Sequence, residues 1–419
     1  MKKILFILYI CCILLFPVSA QQIPSFKAND RIVFLGNSIT EGGHYHSYIW
    51  LYYMTHFPEL PLRIYNGGIG GDCVSHMVFR FDSDIKIKKP TYLVCSFGMN
   101  DSGYDGYNKP GYDKYADKQV EYANTEFGKL QQQILADKKI KNVVLLGSSP
   151  YDENVKLEGV ETLHGKNETI KRIIEMQAEV AQKRGWGFVN FNTVMCERNK
   201  EIQQSDSTAT FCGGDRIHPD KDGHMVMAYL FLKAQGLAGK EVAYFHINAT
   251  NRKAMEERNC RITHIKNEND TISFSYLSRS LPFPVDTIPR WGTKGTARDA
   301  VRQIPFMQEM NQEIMKVTDL HGNFRVTIDG TEIGRWDGNE LSKGINLAEI
   351  TCTPQYQQSL SIMYLNEERC AIEKRLRQYM AMQYVFFKHR GLLFADNKAA
   401  LDAAKAERES HYLVKYLYT

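Results

Sequence analysis

The sequence predicts a three-layer α/β/α fold on a parallel five-stranded sheet over residues 24–236, followed by a β-rich accessory region with terminal helices over 237–419. Three observations predict it. Through the first half, short apolar runs alternate with segments of helical period, the pattern of strand–helix–strand units. Those runs are near-continuously apolar, as strands covered on both faces are. Beyond Gly236 the pattern changes to apolar–polar alternation and then to a long Glu-, Lys-, Arg-, Leu- and Met-rich stretch. A chain of 419 residues with 43% hydrophobic and 24% charged residues has ordinary globular usage, which excludes collagen-like, low-complexity and mainly disordered chains and leaves room for two or three domains.

Residues 1–20 read as a secretory signal: Lys2 and Lys3, an apolar run over 4–16, the breaker Pro17, then Val18-Ser19-Ala20 as a small-residue cleavage site. The run is shorter than the roughly 20 residues that span a bilayer, so no stable membrane span is expected. Cys11 and Cys12 lie inside the run, which disfavours lipoprotein processing. The expected address is therefore outside the cytoplasm: periplasm, cell surface or medium. Without Lys2 and Lys3, 50 basic residues face 48 acidic ones, a balance too weak to imply a nucleic-acid partner.

Strands are predicted over 31–35, 62–65, 92–97, 143–146 and 187–191. Between them Val120, Ala123, Phe127, Leu130 and Ile134 recur at helical spacing, as do Ile170, Ile173, Ile174, Gln177 and Val180 or Ala181, with polar Gln177 the weak point. In the second region, 242–247, Ile272-Phe274-Tyr276 and Phe324-Val326-Ile328 alternate in strand fashion, and Asp329-Gly330 reads as a hairpin turn before 331–336. A long helix follows Thr353-Pro354 to about Arg390 and ends at Gly391.

Seven cysteines follow the signal, an odd number with no Cys-x-x-Cys pair and no zinc-ligand spacing, so neither a metal nor another cofactor is expected. Cys95, in an apolar run, reads as a buried thiol. Cys196 with Cys212 is the expected disulfide, because it would staple the loop leading to Asp215.

Ligands in such sheets gather at the carboxyl ends of the strands, and four segments fall there. Gly36-Asn37-Ser38-Ile39-Thr40 puts a serine at a tight strand-to-helix turn, near the positive end of a helix. Asn66-Gly67-Gly68-Ile69-Gly70-Gly71-Asp72 is glycine-dense backbone able to aim N–H groups at an oxyanion. It carries neither dinucleotide nor P-loop spacing. Gly98-Met99-Asn100-Asp101 offers a carboxamide donor, and Asp215-Arg216-Ile217-His218 a carboxylate three residues before a histidine. Each alone reads equally well as a cap, a turn or a structural histidine. Their conjunction, in this order and each beyond a strand, is the signal.

These four blocks resemble those of the SGNH/GDSL hydrolase superfamily, and span 36–218. The resemblance implies a flavodoxin-like SGNH fold and an esterase with Ser38 as nucleophile, His218 as base and Asp215 as its orienter. It also implies an oxyanion hole from the Ser38 amide, Gly71 and Asn100, with Gly70 a near alternative to Gly71. Asn37 stands where the family has aspartate, which keeps an acceptor oxygen and loses the charge.

His44 and His46 follow Ser38 but lie where a helix travels away from it, and His224 opens the next helix. For substrate contacts the candidates are Asp101, Tyr104, Tyr107 and His44. Tyr104, Tyr107, Tyr112 and Tyr115 sit in one polar loop after Asn100, and flat aromatic faces with polar tips suit a sugar ring, although aromatic packing beneath the loop reads as well. Trp291 and Trp336 are further glycan candidates, with core packing the simpler reading. No apolar helix follows any block to house a long acyl chain. The expectation is an exported esterase of short, O-acetyl esters on carbohydrate. The alternatives are a lysophospholipase- or arylesterase-type enzyme, or a glycan-binding module on a disabled hydrolase fold.

Overall fold

The computed structural model describes residues 22–289 and 294–417; the signal segment and Trp291 lie outside the described residues. Strands β1 (Arg31–Gly36), β2 (Arg63–Gly68), β3 (Tyr92–Phe97), β4 (Asn142–Gly147) and β5 (Gly187–Asn190) form a parallel sheet in the order β2-β1-β3-β4-β5. The order reverses between β1 and β3, the switch point at which such sheets open a crevice. All five predicted strands are present, but β2 continues to Gly68, paired with Gly36. Glycine is a steric requirement here, since a Cβ on Gly68 would lie 2.2 Å from the Glu41 nitrogen.

Side chains alternate across this sheet. Ile32, Phe34, Tyr92, Val94, Val144 and Leu146 enter one core; Val33, Leu35, Leu93, Cys95, Val143 and Leu145 enter the other. The helices are α1 (Ser38–Gly42), α2 (His44–His56), α3 (Val74–Arg80), α4 (Tyr112–Ala136), α5 (Lys166–Arg184), α6 (Phe191–Ile202) and α7 (Lys221–Ala234). α3 and α4 cover the second core; α2, α6 and α7 cover the first. Gln177, the polar break in the pattern of α5, is buried; its Nε2 donates to the Phe97 carbonyl at 3.2 Å, while its Oε1 is buried with no partner among the described residues. α2 is buried on nearly every side, so its sequence has no polar face and no helical period.

The second region continues with β6 (Ala243–Asn248), β7 (Lys253–Arg258), β8 (Cys260–Glu268), β9 (Thr271–Ser278), α8 (Ala297–Val301), α9 (Phe306–Met310), β10 (Glu313–Thr318), β11 (Asn323–Ile328), β12 (Thr331–Asp337), α10 (Gly338–Lys343) and β13 (Ile345–Asn346). One sheet runs β13-β10-β6-β7, while β8-β9 and β11-β12 are hairpins. Asp329 and Gly330, with φ of 48° and 82°, make the tight turn between β11 and β12. Trp336 packs into the core of this region. Then comes α11 (Pro354–Ala381), capped by Thr353 and opened by Pro354; it runs on in helical turns to Arg390 and ends at Gly391, φ 67°. α12 (Lys398–Ala406) and α13 (Tyr412–Leu417) close the chain.

The two regions share apolar surface. Phe283, Ala300, Phe306, Met310 and Met363 join α2 and α7 in the first core, each large side chain there stabilising by about 2 kcal/mol. The polar contacts agree. Lys221 and Tyr48 both donate to the Asp286 carboxylate, at 2.6 and 3.2 Å, and His56 Nε2 lies 2.9 Å from the Met310 carbonyl oxygen.

The expected Cys196–Cys212 disulfide is absent, and both thiols are free. Buried Cys212 accepts from the Asn199 carboxamide at 3.4 Å, while Cys196 accepts from Asn167 at 3.4 Å. Asn199 staples the loop in place of a disulfide, its Oδ1 accepting from the Phe211 amide at 2.8 Å. Among the described residues no helix is long and apolar enough to cross a membrane.

Candidate active site

β1 delivers its end to a turn that only small residues allow. A Cβ on Gly36 would lie 2.0 Å from Thr40 Oγ1. Buried Asn37 caps α1, its Oδ1 accepting from the Ile39 amide at 3.0 Å. That role needs an acceptor oxygen rather than a charge, so asparagine serves where the family has aspartate. Ser38 follows as the first residue of α1, its hydroxyl at the open edge of the sheet and its own N–H in the helix turn that lacks intrahelical partners.

The loop before α7 brings the second group. His218 Nε2 lies 2.8 Å from Ser38 Oγ, across 180 residues of sequence, and Asp215 Oδ2 lies 2.6 Å from His218 Nδ1. Asp215 Oδ1 accepts from the amides of Ile217 and His218, both at 2.9 Å, so the carboxylate is fixed to the loop it serves. Partial burial pushes the Asp215 carboxyl up, but the His218 ring and these two amides outweigh it and hold it below the usual carboxylate range. Between the pair, Arg216 takes φ 70° and turns inward, donating to the carbonyls of Asp152 at 3.1 Å and Val155 at 2.6 Å. A left-handed backbone held by a buried guanidinium is a strained turn that its surroundings over-determine. The side chains of His218 and Asp215 are 42% and 50% exposed, so the site is open.

The glycine block and Asn100 face the same edge. The Gly70 amide is taken, donating to Glu41 Oε2 at 2.5 Å, and a Cβ there would stand 3.9 Å from the Ser38 Cβ. Gly71, φ 81°, has open space around it, and its N–H has no partner among the described residues. Of the two glycines, only Gly71 thus presents an unpaired N–H among the described residues. Asn100 Nδ2 donates to the Asp72 carbonyl at 3.0 Å, which leaves one amide hydrogen over, and its Oδ1 accepts from the Tyr104 hydroxyl at 2.8 Å. A hydroxyl, an imidazole and a carboxylate in line, beside two backbone donors and a carboxamide, can move a proton off oxygen and stabilise charge on a substrate oxygen.

Other candidates lie elsewhere. Asp101 is buried, and both its oxygens are occupied by the amides of Val74 at 2.7 Å and Gly98 at 2.8 Å. It ties the second block to the third and has no free face for substrate. Burial raises its carboxyl to about 6, against those two hydrogen bonds. Tyr107 is buried with its hydroxyl on the Ser102 carbonyl at 2.7 Å, so it packs beneath the loop. His44 Nε2 lies 3.3 Å from Glu367 of α11, and His46 Nε2 3.1 Å from the Thr40 carbonyl oxygen; burial lowers His46 to about 4. Buried His224 stacks on Tyr45. Tyr104 alone of the four substrate candidates borders the site, and does so through Asn100.

Sequence reading missed the groups beneath. Lys166, the first residue of α5, is fully buried; its Nζ donates to the Met99 carbonyl at 2.9 Å, Ser102 Oγ at 2.7 Å and the Gly103 carbonyl at 2.5 Å, and lies 3.7 Å from the centre of the Tyr104 ring. Burial lowers it to about 7, partly countered by Asp101. Arg80 is buried under the glycine block. Neither carried a signal, because a lone basic residue in a helical stretch reads as a solvated face.

The GDSL-like Lipase/Acylhydrolase family model matches residues 34–226, and the Diltiazem deacetylase C-terminal helical domain model matches 360–418. A solved structure of a gut microbial diltiazem-metabolizing enzyme is 48% identical, over 95% of this chain and 90% of that one, with a TM-score of 0.92. The acetylxylan esterase of Geobacillus stearothermophilus is 22% identical over 50% of this chain and 95% of its own length. A crystal structure of an acetylxylan esterase from that organism aligns with a TM-score of 0.39 at 22% identity, over 50% of this chain and 95% of its own. The chain belongs to the SGNH/GDSL hydrolase superfamily, as a GDSL-like acylhydrolase, and is a carboxylic ester hydrolase.

Proposed function

We propose that this chain is an exported serine esterase that removes acetyl groups from the alcohol oxygens of carbohydrates. The observation that carries the mechanism is the aligned contact of Ser38 Oγ with His218 Nε2 at 2.8 Å and of His218 Nδ1 with Asp215 Oδ2 at 2.6 Å. Ser38 Oγ attacks the acetyl carbonyl carbon while His218 Nε2 takes its proton. Asp215 accepts from Nδ1, which keeps Nε2 as the acceptor and stabilises the imidazolium. The oxyanion is met by the Ser38 and Gly71 amides and Asn100 Nδ2. His218 returns the proton to the departing alcohol; then water, activated by the same nitrogen, releases acetate from Ser38.

Several observations support the acyl and alcohol assignments. The exposed His218 and Asp215 leave the leaving-group side open to a bulky alcohol. Relatives are named for acetylxylan and for diltiazem deacetylation, two acetyl esters on unlike alcohols. The 48% identity to a diltiazem-metabolizing enzyme favours a second substrate class, an acetylated drug-like alcohol, at the same site. Export rests on the signal-like segment at residues 1–20.

Acetate release from acetylated xylan oligosaccharides, from diltiazem and from an octanoyl ester, with Ser38→Ala as control, tests the reading. Activity on the acetyl esters that vanishes in Ser38→Ala upholds it. Preference for the octanoyl ester supports the lipolytic alternative, and failure of a fluorophosphonate to label Ser38 supports the binding-module alternative. Amino-terminal sequencing of exported protein should begin after Ala20.

A further inference from the structure

The long helix α11 reaches the glycine block from below. Arg377, buried in α11, donates through Nε to the Gly68 carbonyl at 2.9 Å. Its two terminal nitrogens grip Asp84 in a fork, Nη1 on Oδ1 and Nη2 on Oδ2, both at 2.8 Å. Asp84 also takes Arg80 Nη1 at 2.6 Å and Lys88 Nζ at 2.5 Å. Three cations around one buried carboxylate hold it well below the usual range, against the upward push of burial.

From Arg80 the contacts spread to every part of the site that holds a donor. Its Nε meets Asp72 Oδ2 at 2.6 Å, and its Nη2 donates to the carbonyls of Gly36 at 3.1 Å and Gly67 at 2.8 Å. Gly36 lies two residues before Ser38, Asp72 follows Gly71, and the Asp72 carbonyl carries the Asn100 carboxamide. One turn earlier in α11, Glu373 Oε1 accepts from the Asn66 amide at 2.8 Å, and Asn66 Oδ1 accepts in turn from the Gly68 amide at 2.9 Å. Ile69 packs against Ala381 and Tyr384, just beyond. The loop from Asn66 to Asp72 is therefore held on its hidden side by a helix 300 residues away in sequence.

We infer that Arg377 is a positioning residue for catalysis: by bonding Gly68 and Asp84 together, it sets where the Gly71 N–H points, and gives the C-terminal helical region a part in transition-state stabilisation. The inference rests on the reading of Ser38 as nucleophile and Gly71 as oxyanion donor. Removing Arg377 leaves Asp84 still paired with Arg80 and Lys88, so the carboxylate keeps partners. What is lost is the tie on Gly68. A donor shifted by a fraction of an ångström weakens charge stabilisation in the transition state while hardly touching substrate binding.

The test compares the parent, Arg377→Ala, Arg377→Lys, exposed Arg375→Ala as a helix control, and Ser38→Ala, on 4-nitrophenyl acetate. Fluorophosphonate labelling counts the competent sites in each sample. Expected for Arg377→Ala is a kcat about tenfold lower, with KM within about twofold and complete labelling. Arg377→Lys, whose ammonium can bond one acceptor and not the fork, should fall between, and Arg375→Ala should match the parent. Parent-like kcat in Arg377→Ala, or a loss no larger than its unlabelled fraction, overturns the inference. If the alanine variant does not fold, Arg377→Lys with parent-like kcat overturns it. Activity retained in Ser38→Ala would instead overturn the reading beneath it.

Discussion

The Tyr104 hydroxyl donates to the Asn100 carboxamide oxygen at 2.8 Å, and this contact, together with the Asp72 carbonyl on Nδ2, fixes which way the amide faces. With Oδ1 held by Tyr104, Nδ2 turns to the Asp72 carbonyl and to the open edge where a substrate oxygen would stand. Asn100→Ala should lose about 100-fold in kcat, the effect of one oxyanion donor. Tyr104→Phe keeps the ring over Lys166 and leaves the amide held by the Asp72 carbonyl alone, so its loss should be smaller, about fivefold, and confined to kcat. Steady-state rates on an acetate ester check both, and a change in KM alone for Tyr104→Phe would refute the orienting role.

Asp215 keeps its proton off to lower pH than an ordinary carboxylate, because His218 and two amides bond its charged form. Its depressed value stabilises the folded loop above the ordinary carboxylate range and loses that contribution as pH falls through the lowered one. Asp215→Asn, with Oδ1 kept by the two amides, sets an NH2 donor where Oδ2 accepted from His218 Nδ1, and so no longer selects the Nδ1–H tautomer. Its kcat should drop by about 10,000-fold at neutral pH while the fold persists, as kinetics with circular dichroism would record.

Gly71 sits at φ 81° with nothing near its missing Cβ. Alanine there meets no clash, yet it strains the backbone by on the order of 1 kcal/mol. Relief of that strain should turn the N–H away. We expect Gly71→Ala to fold with nearly the parent's melting temperature and to lose about tenfold or more in kcat; unchanged kcat would move the donor role to another amide.

Far from the site, Glu313 at the start of β10 is fully buried with one oxygen on the Tyr276 hydroxyl at 2.7 Å and the other unpaired. Burial raises its carboxyl to about 7, with the Tyr276 bond opposing. A raised value means that the favourable protonated form is fully present below the unfolded value of 4.5, and that this contribution is lost as pH rises from there to about 7. Glu313→Gln should therefore be more stable than the parent at pH 8, by on the order of 2–3 kcal/mol, and equal to it near pH 4. Chemical denaturation at the two pH values measures the difference.

The sequence makes the sheet legible because both faces of every strand are covered, which writes apolar runs with little ambiguity, and the chemistry legible because Ser38, the glycine block and Asn100 each follow a strand end; Asp215 and His218 instead follow a helix, α6, and not a strand as the sequence led one to expect. What it hides is whatever depends on a partner distant in sequence. α2 has no period since α7, α11 and the sheet surround it. Asp101, adjacent to Asn100, reads as a site residue until its two oxygens are seen to hold Val74 and Gly98. Cys196 and Cys212 suggest a bridge because they flank the loop leading to Asp215, and Asn199, which ties that loop instead, carries no such mark. Arg377 is one arginine in a helix rich in them, and nothing nearby in sequence predicts Asp84 as its partner.

Phe283, Phe306, Met310 and Met363 fill the same core as Tyr52 and Phe231. That shared interior removes the independence that two successive folding patterns along a chain usually imply. A break in the connecting stretch after Gly236 would leave two fragments clasped together, and heat should undo both in a single cooperative event.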